Sequence, residues 1–274
     1  MPPRRAATEN PAGRGIVAVT SRSDRMTMQA SERVLFRGKS FFCDEEPLEW
    51  VFNEWKWERP EFDENSTSCY RGYVGSWEVR DGDLYLTRID CPTVNGAPYG
   101  LHDLFPLADP DGLFTDWVTD WLGLLAAEEQ GPKAHDYQLA VHRGRVIAIH
   151  SFPVQARPRS DYIFHQANHS CRPTVTLTPY LDTAFPDEAP FIRALHINWA
   201  DHLPRLVYAD WLEERNDPRG ELLRVDVELA KSPGDDDLLA RRKEVLVTVK
   251  DWIWMKLIGC DPPRNEWGWE QRTW

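Results

Sequence analysis

His142, His150 and Asp116 are the residues whose types best suit acid–base chemistry. A histidine within hydrogen-bond reach of a carboxylate can transfer a proton near neutral pH, as a hydrolase requires. Both histidines lie in a predicted strand pair, and the crevice expected between two modules would hold the site. These residues predict an uncharacterised hydrolase as the alternative to a function without catalysis.

A second set of acids lies on a predicted helix and has two interpretations. Asp210 and Glu214 are four residues apart, so they share a helix face and, with Glu213, could form a catalytic pair or a cation site. They could instead pair with arginines of neighbouring helices. Because Arg215, Arg219 and Arg224 follow closely, we favour an acid–arginine lattice that orders the helices.

Motifs for metals, cofactors and nucleophilic catalysis are missing from the sequence. His165, His169 and Cys171 come nearest to a zinc site, but they lack a fourth ligand and a close cysteine pair. There is no Gly-x-Ser-x-Gly motif, and Arg143-Gly144-Arg145 is a turn rather than a phosphate loop. We therefore predict no cofactor and no metal, and we favour a protein that is not an enzyme.

The composition restricts the class of partner and the compartment. The formal net charge is −12 over 274 residues, which disfavours nucleic acid or an anionic membrane as partner. No apolar run approaches the roughly 18–20 residues of a membrane-spanning helix. Five scattered cysteines without a C-x-x-C pair are typical of reduced thiols. These features predict a cytoplasmic protein.

The strongest structural signal is a β-hairpin that turns at Asp81-Gly82, since a tight turn of this kind requires positive φ. Pairing outward from the turn gives one apolar face and one mixed face. The expected pairs are Val79 with Leu84, Trp77 with Leu86, Glu78 with Tyr85, and Ser76 with Thr87.

The flanking patterns complete an α+β module over residues 32–155. Strand pairs are predicted around the turns at Arg37-Gly38 and Arg143-Gly144, and helical spacing predicts a short helix from Pro47 and another over 114–125. The fold class is therefore α+β, with an antiparallel-sheet domain that contains two short helices. Residues 1–31 have too little apolar content to fold and are predicted to be disordered.

The C-terminal part has a helical period. Residues 156–183 are interrupted by prolines and predict a partly ordered linker, with possible edge strands at 162–164 and 175–177. Residues 184–274 predict a small helical bundle with a tryptophan-rich tail. Its four helices are expected to begin near Asp187, Pro204, Pro218 and Asp235, and the last is expected to reach Ile253.

Two stretches carry resemblances to known families. Pro204-Arg-Leu-Val-Tyr-Ala-Asp-Trp-Leu-Glu-Glu-Arg-Asn-Asp-Pro-Arg-Gly-Glu-Leu-Leu-Arg224 closely resembles the bacterial repeat-companion domain, and the likeness covers about 185–258. That helical module usually accompanies leucine-rich-type repeats or unrelated domains, although no leucine-rich period follows residue 260 in this chain. The resemblance implies a bacterial source and an accessory or interaction role, with no established activity.

The second resemblance covers about 40–150. Tyr70-Arg-Gly-Tyr-Val-Gly-Ser-Trp-Glu-Val79, followed by Leu84-Tyr-Leu86, is similar to a family of small uncharacterised bacterial proteins with an Arg-Gly-Tyr-Val-x-x-Trp core. Cys69-Tyr70 stands where that family has an apolar residue and a tryptophan. This likeness implies no reaction.

We predict a non-catalytic interaction or regulatory protein that binds a protein partner. Residues 44–64 carry nine acids against Lys56 and Arg59, so this acidic segment or the α+β module would contact the partner. Tryptophans of the C-terminal tail would pack back on a domain or cover a partner. The candidate contact residues are Glu45, Glu46, Glu49, Trp57, Arg71, Trp267 and Trp269.

Overall fold

The computed structural model describes residues 30–54, 58–63, 68–90, 93–126, 135–153, 174–198 and 200–259. Of residues 1–31, which were predicted to be disordered, residues 1–29 lie outside this part of the chain, and so does the tryptophan-rich tail of 252–274 beyond residue 259. Strands dominate the N-terminal part and helices the C-terminal part, so the chain has a mixed α+β fold as predicted.

The first half of the chain combines strands with short helices, and the second half is mostly helical. The first half contains β1 (Glu32–Phe36), β2 (Lys39–Cys43), α1 (Pro47–Glu54), β3 (Val74–Arg80), β4 (Asp83–Asp90), β5 (Thr93–Val94), β6 (Ala97–Pro98), α2 (Leu101–Leu104), β7 (Leu113–Phe114), β8 (Asp120–Ala126), β9 (His135–His142) and β10 (Arg145–Pro153). The second half contains β11 (Thr174–Leu177), α3 (Leu181–Ala184), α4 (Ala189–Ile197), α5 (Leu203–Glu213), α6 (Arg219–Lys231), α7 (Asp236–Thr248) and α8 (Trp252–Leu257).

The main sheet curls into a barrel-like ring. Its order is β10-β9-β8-β2-β1-β3-β4, and β4 returns to β10, with β7 and β11 attached at the sides. The closing contact consists of a hydrogen bond from Val146 N–H to the Gly82 carbonyl and one from Leu84 N–H to the Gly144 carbonyl, both 2.7 Å. An odd-numbered ring cannot alternate direction throughout, and β1 and β3 are parallel. The predicted sheet is therefore antiparallel except for this pair.

The β3–β4 hairpin has the predicted turn, with φ of 51° at Asp81 and 89° at Gly82. The confirmed pairs are Val79–Leu84, Trp77–Leu86 and Glu78–Tyr85, and both Trp77 and Leu86 are buried. The expected pairing of Ser76 with Thr87 is wrong. A bulge between Ser76 and Trp77 shifts the register, so Ser76 lies opposite Arg88.

The predicted helix over 114–125 is also wrong, because this segment forms β7, a connection and β8. Leu122 and Leu124 belong to the core inside the ring, whereas Trp121 belongs to the core under the C-terminal helices. A strand that is buried on both faces loses the alternation of apolar and polar residues by which sequence patterns identify strands. The apolar residues of this segment therefore recur at helix-like spacing although β8 is a strand.

The C-terminal helices pack on the outer face of the sheet. Trp121, Ala140 and Ile147 from the strands share one apolar cluster with helix residues such as Leu195 and Leu257. Residues 174–177 of the predicted linker form an edge strand against β10, as expected for that stretch, and the possible strand at 162–164 lies outside the described residues. The helices and the sheet therefore share a core rather than meeting only through a linker.

The helix that was predicted to run from Asp235 to Ile253 is divided into two. α7 ends at Thr248, and Asp251 then caps α8, because its carboxylate accepts a hydrogen bond from Trp254 N–H at 2.9 Å. An aspartate at such a position satisfies a free N–H group of the new helix. Ile253 therefore lies in α8.

A buried polar network joins α5 to α6 and α8. The Tyr208 hydroxyl donates to the Glu188 carboxylate and accepts from the Trp254 indole N–H at 2.8 Å. Arg219 bonds to Glu188 at 3.1 Å and to both oxygens of Asp217. Burial, and then Glu188, raise the pKa of Tyr208, so this hydroxyl stays protonated and can donate. Through these contacts Tyr208 and Arg219 connect α5, α6 and α8.

Candidate functional site

A cleft of about 370 Å³ lies between the tip of the β9–β10 hairpin and α3. Its polar wall contains Asp116, His142, Arg143, Arg145 and Tyr180. The structure thus brings together His142 and Asp116, the histidine and the carboxylate that the sequence nominated for acid–base chemistry. Arg143, Arg145 and Tyr180 were not nominated from the sequence. The two arginines were interpreted only as part of the Arg143-Gly144-Arg145 turn.

The position of the hairpin tip follows from its turn. Arg143 and Gly144 have φ of 49° and 76°, as a tight hairpin turn requires. A Cβ on Gly144 would lie 2.7 Å from the Thr115 carbonyl oxygen, so only glycine lets the tip approach the segment between β7 and β8 this closely. Arg143 N–H donates to Thr119 Oγ1 at 2.9 Å, and Gly144 N–H donates to the Val118 carbonyl at 2.8 Å. These contacts place His142 in the same cleft as Asp116.

His142 is held mainly in its neutral form. Burial lowers the pKa of its imidazole, and the positive charge of Arg143 lowers it further, while Asp251 acts in the opposite direction. A neutral imidazole can accept a proton or a hydrogen bond at pH 7. The ring also packs against Phe185, with 6.2 Å between the ring centroids.

The two arginines of the cleft differ in how they are held. Arg145 lies over the Tyr180 ring at 5.1 Å and is 3.7 Å from the Asp83 carboxylate. Arg143 is exposed and forms no ion pair with any residue that the structure describes. Arg145 therefore has a ring contact and one distant carboxylate, whereas the Arg143 guanidinium has no carboxylate partner among the described residues.

His150 does not belong to this cleft. Only 7% exposed, it packs edge-on against Trp121 with 4.6 Å between ring centroids, and its Nε2 has no hydrogen-bond partner in the described part of the chain. Burial lowers its pKa to about 3, and His196 and Lys256 add to this effect. The pairing of His150 with Asp116, one version of the hydrolase hypothesis, has no geometric support.

We expect replacement of His150 by leucine to reduce the acid sensitivity of the fold. In the unfolded chain His150 takes up a proton near pH 6.5, but in the folded chain it does so only near pH 3, so stability falls as the pH falls below 6.5. Between pH 6.5 and 5.5 the wild type should lose about 1 kcal/mol more than His150→Leu. Urea unfolding at both pH values measures this difference in stability. The control is His102→Leu, since His102 is exposed. An identical pH dependence of wild type and His150→Leu would contradict the prediction.

The predicted partner contacts in the acidic segment are engaged inside the protein. The Glu45 carboxylate accepts from Gly123 N–H at 2.9 Å and from the Cys43 thiol at 3.2 Å, and burial raises its pKa. Glu49 accepts from the Tyr73 hydroxyl at 2.7 Å and binds Arg59. These carboxylates hold α1 and the neighbouring strands together and do not form a free acidic surface.

Arg71 and Glu46 belong to the same internal system. The Arg71 guanidinium lies 2.8 Å from Glu32, bonds to the Ala30 carbonyl at 2.6 Å, and also pairs with Glu46. The Arg71 side chain is only 6% exposed. The remaining candidate contacts, Trp57, Trp267 and Trp269, lie outside the described residues.

The acids on α5 form the predicted lattice with arginine. Arg224 on α6 binds both Asp210 and Glu213, while Arg241 and Arg242 on α7 bind Glu221 and Asp226 on α6. Glu214 is exposed and lies 3.7 Å from Arg215. Ion pairs thus tie α5 to α6 and α6 to α7, and the alternative of a catalytic carboxylate pair gains no support.

No metal site is visible within the described ranges. A second cleft, of about 420 Å³, is lined by the acids Asp81, Asp83, Asp109 and Asp111 together with Arg80. However, no three histidine, cysteine or acidic side chains are arranged to hold an ion in the described part of the chain. The sequence candidates His165, His169 and Cys171 lie outside it. In the same part, none of the helices is long and apolar enough to cross a membrane.

Comparison with known proteins adds no relative. No family model, no curated protein and no solved structure matches this chain. The resemblances of residues 185–258 and 40–150 therefore stay predictions, and the geometry of the described residues is the basis for any function.

Proposed function

We propose that the chain is a non-catalytic cytoplasmic interaction or regulatory protein that binds a protein partner through α5. One observation supports this proposal. Leu203 and Val207 are 64% and 47% exposed and lie one turn apart on the same face of α5, and Ile197 at the end of α4 is 85% exposed. We call Leu203 and Val207 the α5 stripe. Large apolar side chains that are grouped on a surface are typical of binding sites.

The charge around the α5 stripe defines the kind of partner. Glu214, directly after the end of α5, is exposed on the same side as the stripe, and the whole chain carries a net charge of −12. A partner face with apolar side chains and a basic rim would complement both features. The partner is thus still a protein, but it would contact the helical part rather than the acidic 44–64 segment.

The test compares a double variant, with aspartate at both positions of the stripe, with a control variant that has aspartate at another exposed apolar residue. The full chain carrying Leu203→Asp and Val207→Asp should lose a partner that the wild type captures from its source cells, with affinity reduced at least about tenfold. Val247→Asp is the control, because Val247 is 74% exposed on α7. The wild type, the double variant and Val247→Asp should melt at the same temperature, since every altered side chain is exposed. Capture of the same proteins by all three would refute the proposal.

A second candidate is a hydrolase, favoured by the convergence of His142 and Asp116 on one cleft. His142 would act as general base, since its pKa is lowered by burial, and Asp116 would orient a substrate group or a water molecule. Turnover of nitrophenyl esters or phosphates that is abolished in His142→Asn and retained in the exposed His102→Asn would support it. Equal turnover by both variants would exclude it.

A further inference from the structure

We propose that the cleft beside the β9–β10 turn binds a small molecule with an anionic group, a carboxylate or a phosphate, attached to an apolar body. Neither proposed function is required for this binding, since a ligand can be held there whether or not any bond is broken and whether or not α5 meets a partner.

The anionic group is inferred from the two arginines. Arg143 and Arg145 flank Gly144 and both line the cleft. Arg143 forms no ion pair within the described residues, and Arg145 has only a distant contact, at 3.7 Å, with Asp83. Other arginines of this acidic chain, such as Arg71 and Arg219, are paired with carboxylates at 3.0 Å or less. Guanidinium groups bind carboxylate and phosphate oxygens with well-matched geometry.

The remaining walls define the rest of the ligand. Phe114 and Ala184 are partly exposed and supply an apolar surface, and Tyr180 stacks with Arg145. The Asp116 carboxylate also lines the cleft and forms no ion pair with the described arginines, so it can accept a hydrogen bond from a ligand hydroxyl or amine. A volume of about 370 Å³ lies within the range of sites for small molecules.

The test uses phenylphosphonate and benzoate as probes, with benzyl alcohol as the neutral analogue. Neither anion can be hydrolysed by a phosphatase or an esterase, so the outcome is separate from that of the hydrolase candidate. We expect titration calorimetry of the full chain at constant ionic strength to show binding of at least one anion and none of benzyl alcohol. Arg143→Gln should weaken this binding by about tenfold or more.

The matched control is Arg37→Gln. Arg37 precedes Gly38 in the β1–β2 turn with φ of 52°, so it has the same backbone setting as Arg143, but it lies over the Phe36 and Tyr137 rings and does not line the cleft. Arg37→Gln should bind the anions as the wild type does. The proposal is overturned if the wild type binds neither anion at about 10 mM. It is also overturned if both glutamine variants weaken binding equally, since that would show a general charge effect.

Discussion

Replacement of Arg71 by methionine is expected to lower the free energy of unfolding by about 3–5 kcal/mol at pH 8. Glu32 is fully buried on the same face of β1 as the core residues Val34 and Phe36, and Arg71 is the cation beside it, at 2.8 Å. Without Arg71, the Glu32 carboxylate would keep only neutral partners such as the Trp77 indole N–H at 2.8 Å. A buried charge that has lost its counter-ion is among the most costly defects in a protein core.

The loss in the free energy of unfolding caused by Arg71→Met should depend on pH. Burial raises the pKa of Glu32 to about 7 even with Arg71 present, whereas an unfolded glutamate titrates near 4.5. The folded chain therefore binds a proton between pH 7 and 4.5 that the unfolded chain does not, and the stability gained by this proton is lost as the pH rises through 7. At pH 5 Glu32 is neutral in both proteins, so the loss in Arg71→Met should be smaller than at pH 8 by about 1 kcal/mol.

Urea unfolding at pH 5 and pH 8 measures both quantities. The variant Glu32→Gln with Arg71→Met should regain part of the stability at pH 8, since it contains no buried charge at position 32. Arg59→Met is the control, because Arg59 is 37% exposed and its pair with Glu49 should contribute about 1 kcal/mol or less. The same loss for Arg71→Met at both pH values would contradict the assignment of the charge to Glu32.

Replacement of Gly220 by alanine is expected to lower the free energy of unfolding by about 2 kcal/mol. Gly220 lies in the first turn of α6 where this helix crosses α5. A Cβ there would lie 2.8 Å from the Ala209 carbonyl oxygen and 3.2 Å from the Glu213 backbone nitrogen. Backbone atoms cannot move aside as a side chain can, so the two helices must separate. This cost exceeds the roughly 0.5–1 kcal/mol that alanine contributes inside a helix.

Gly234→Ala is the matched control for Gly220→Ala. Gly234 lies between α6 and α7 without positive φ, and a Cβ there would meet nothing within 4 Å. This variant should be neutral or more stable by about 0.4–1 kcal/mol, because alanine restricts the unfolded chain. Thermal and urea unfolding of both variants make the comparison, and equal stability of Gly220→Ala and Gly234→Ala would show that the helices do not approach each other as described.

The residues of the candidate site were only partly predictable. His142 and Asp116 could be nominated because their side chains suit proton transfer, but 26 positions separate them in the chain, and only the packing of the hairpin tip places them in one cleft. Arg71, Glu45, Glu46 and Glu49 were nominated for a partner because charged residues are usually exposed. Their burial or internal pairing follows from neighbours such as Glu32 and Tyr73, which are distant in sequence.

Local patterns determined the hairpins at Arg37-Gly38, Asp81-Gly82 and Arg143-Gly144, the helix from Pro47, and the succession of helices after residue 184. Turn conformation and helix periodicity depend on a few adjacent residues, so the sequence alone contains this information. The tertiary structure decided that β8 is a strand, that β1 and β3 run parallel, that the helices cover the sheet, and which charges are buried. These features depend on what covers each face of an element, and that is determined by residues far away in the chain.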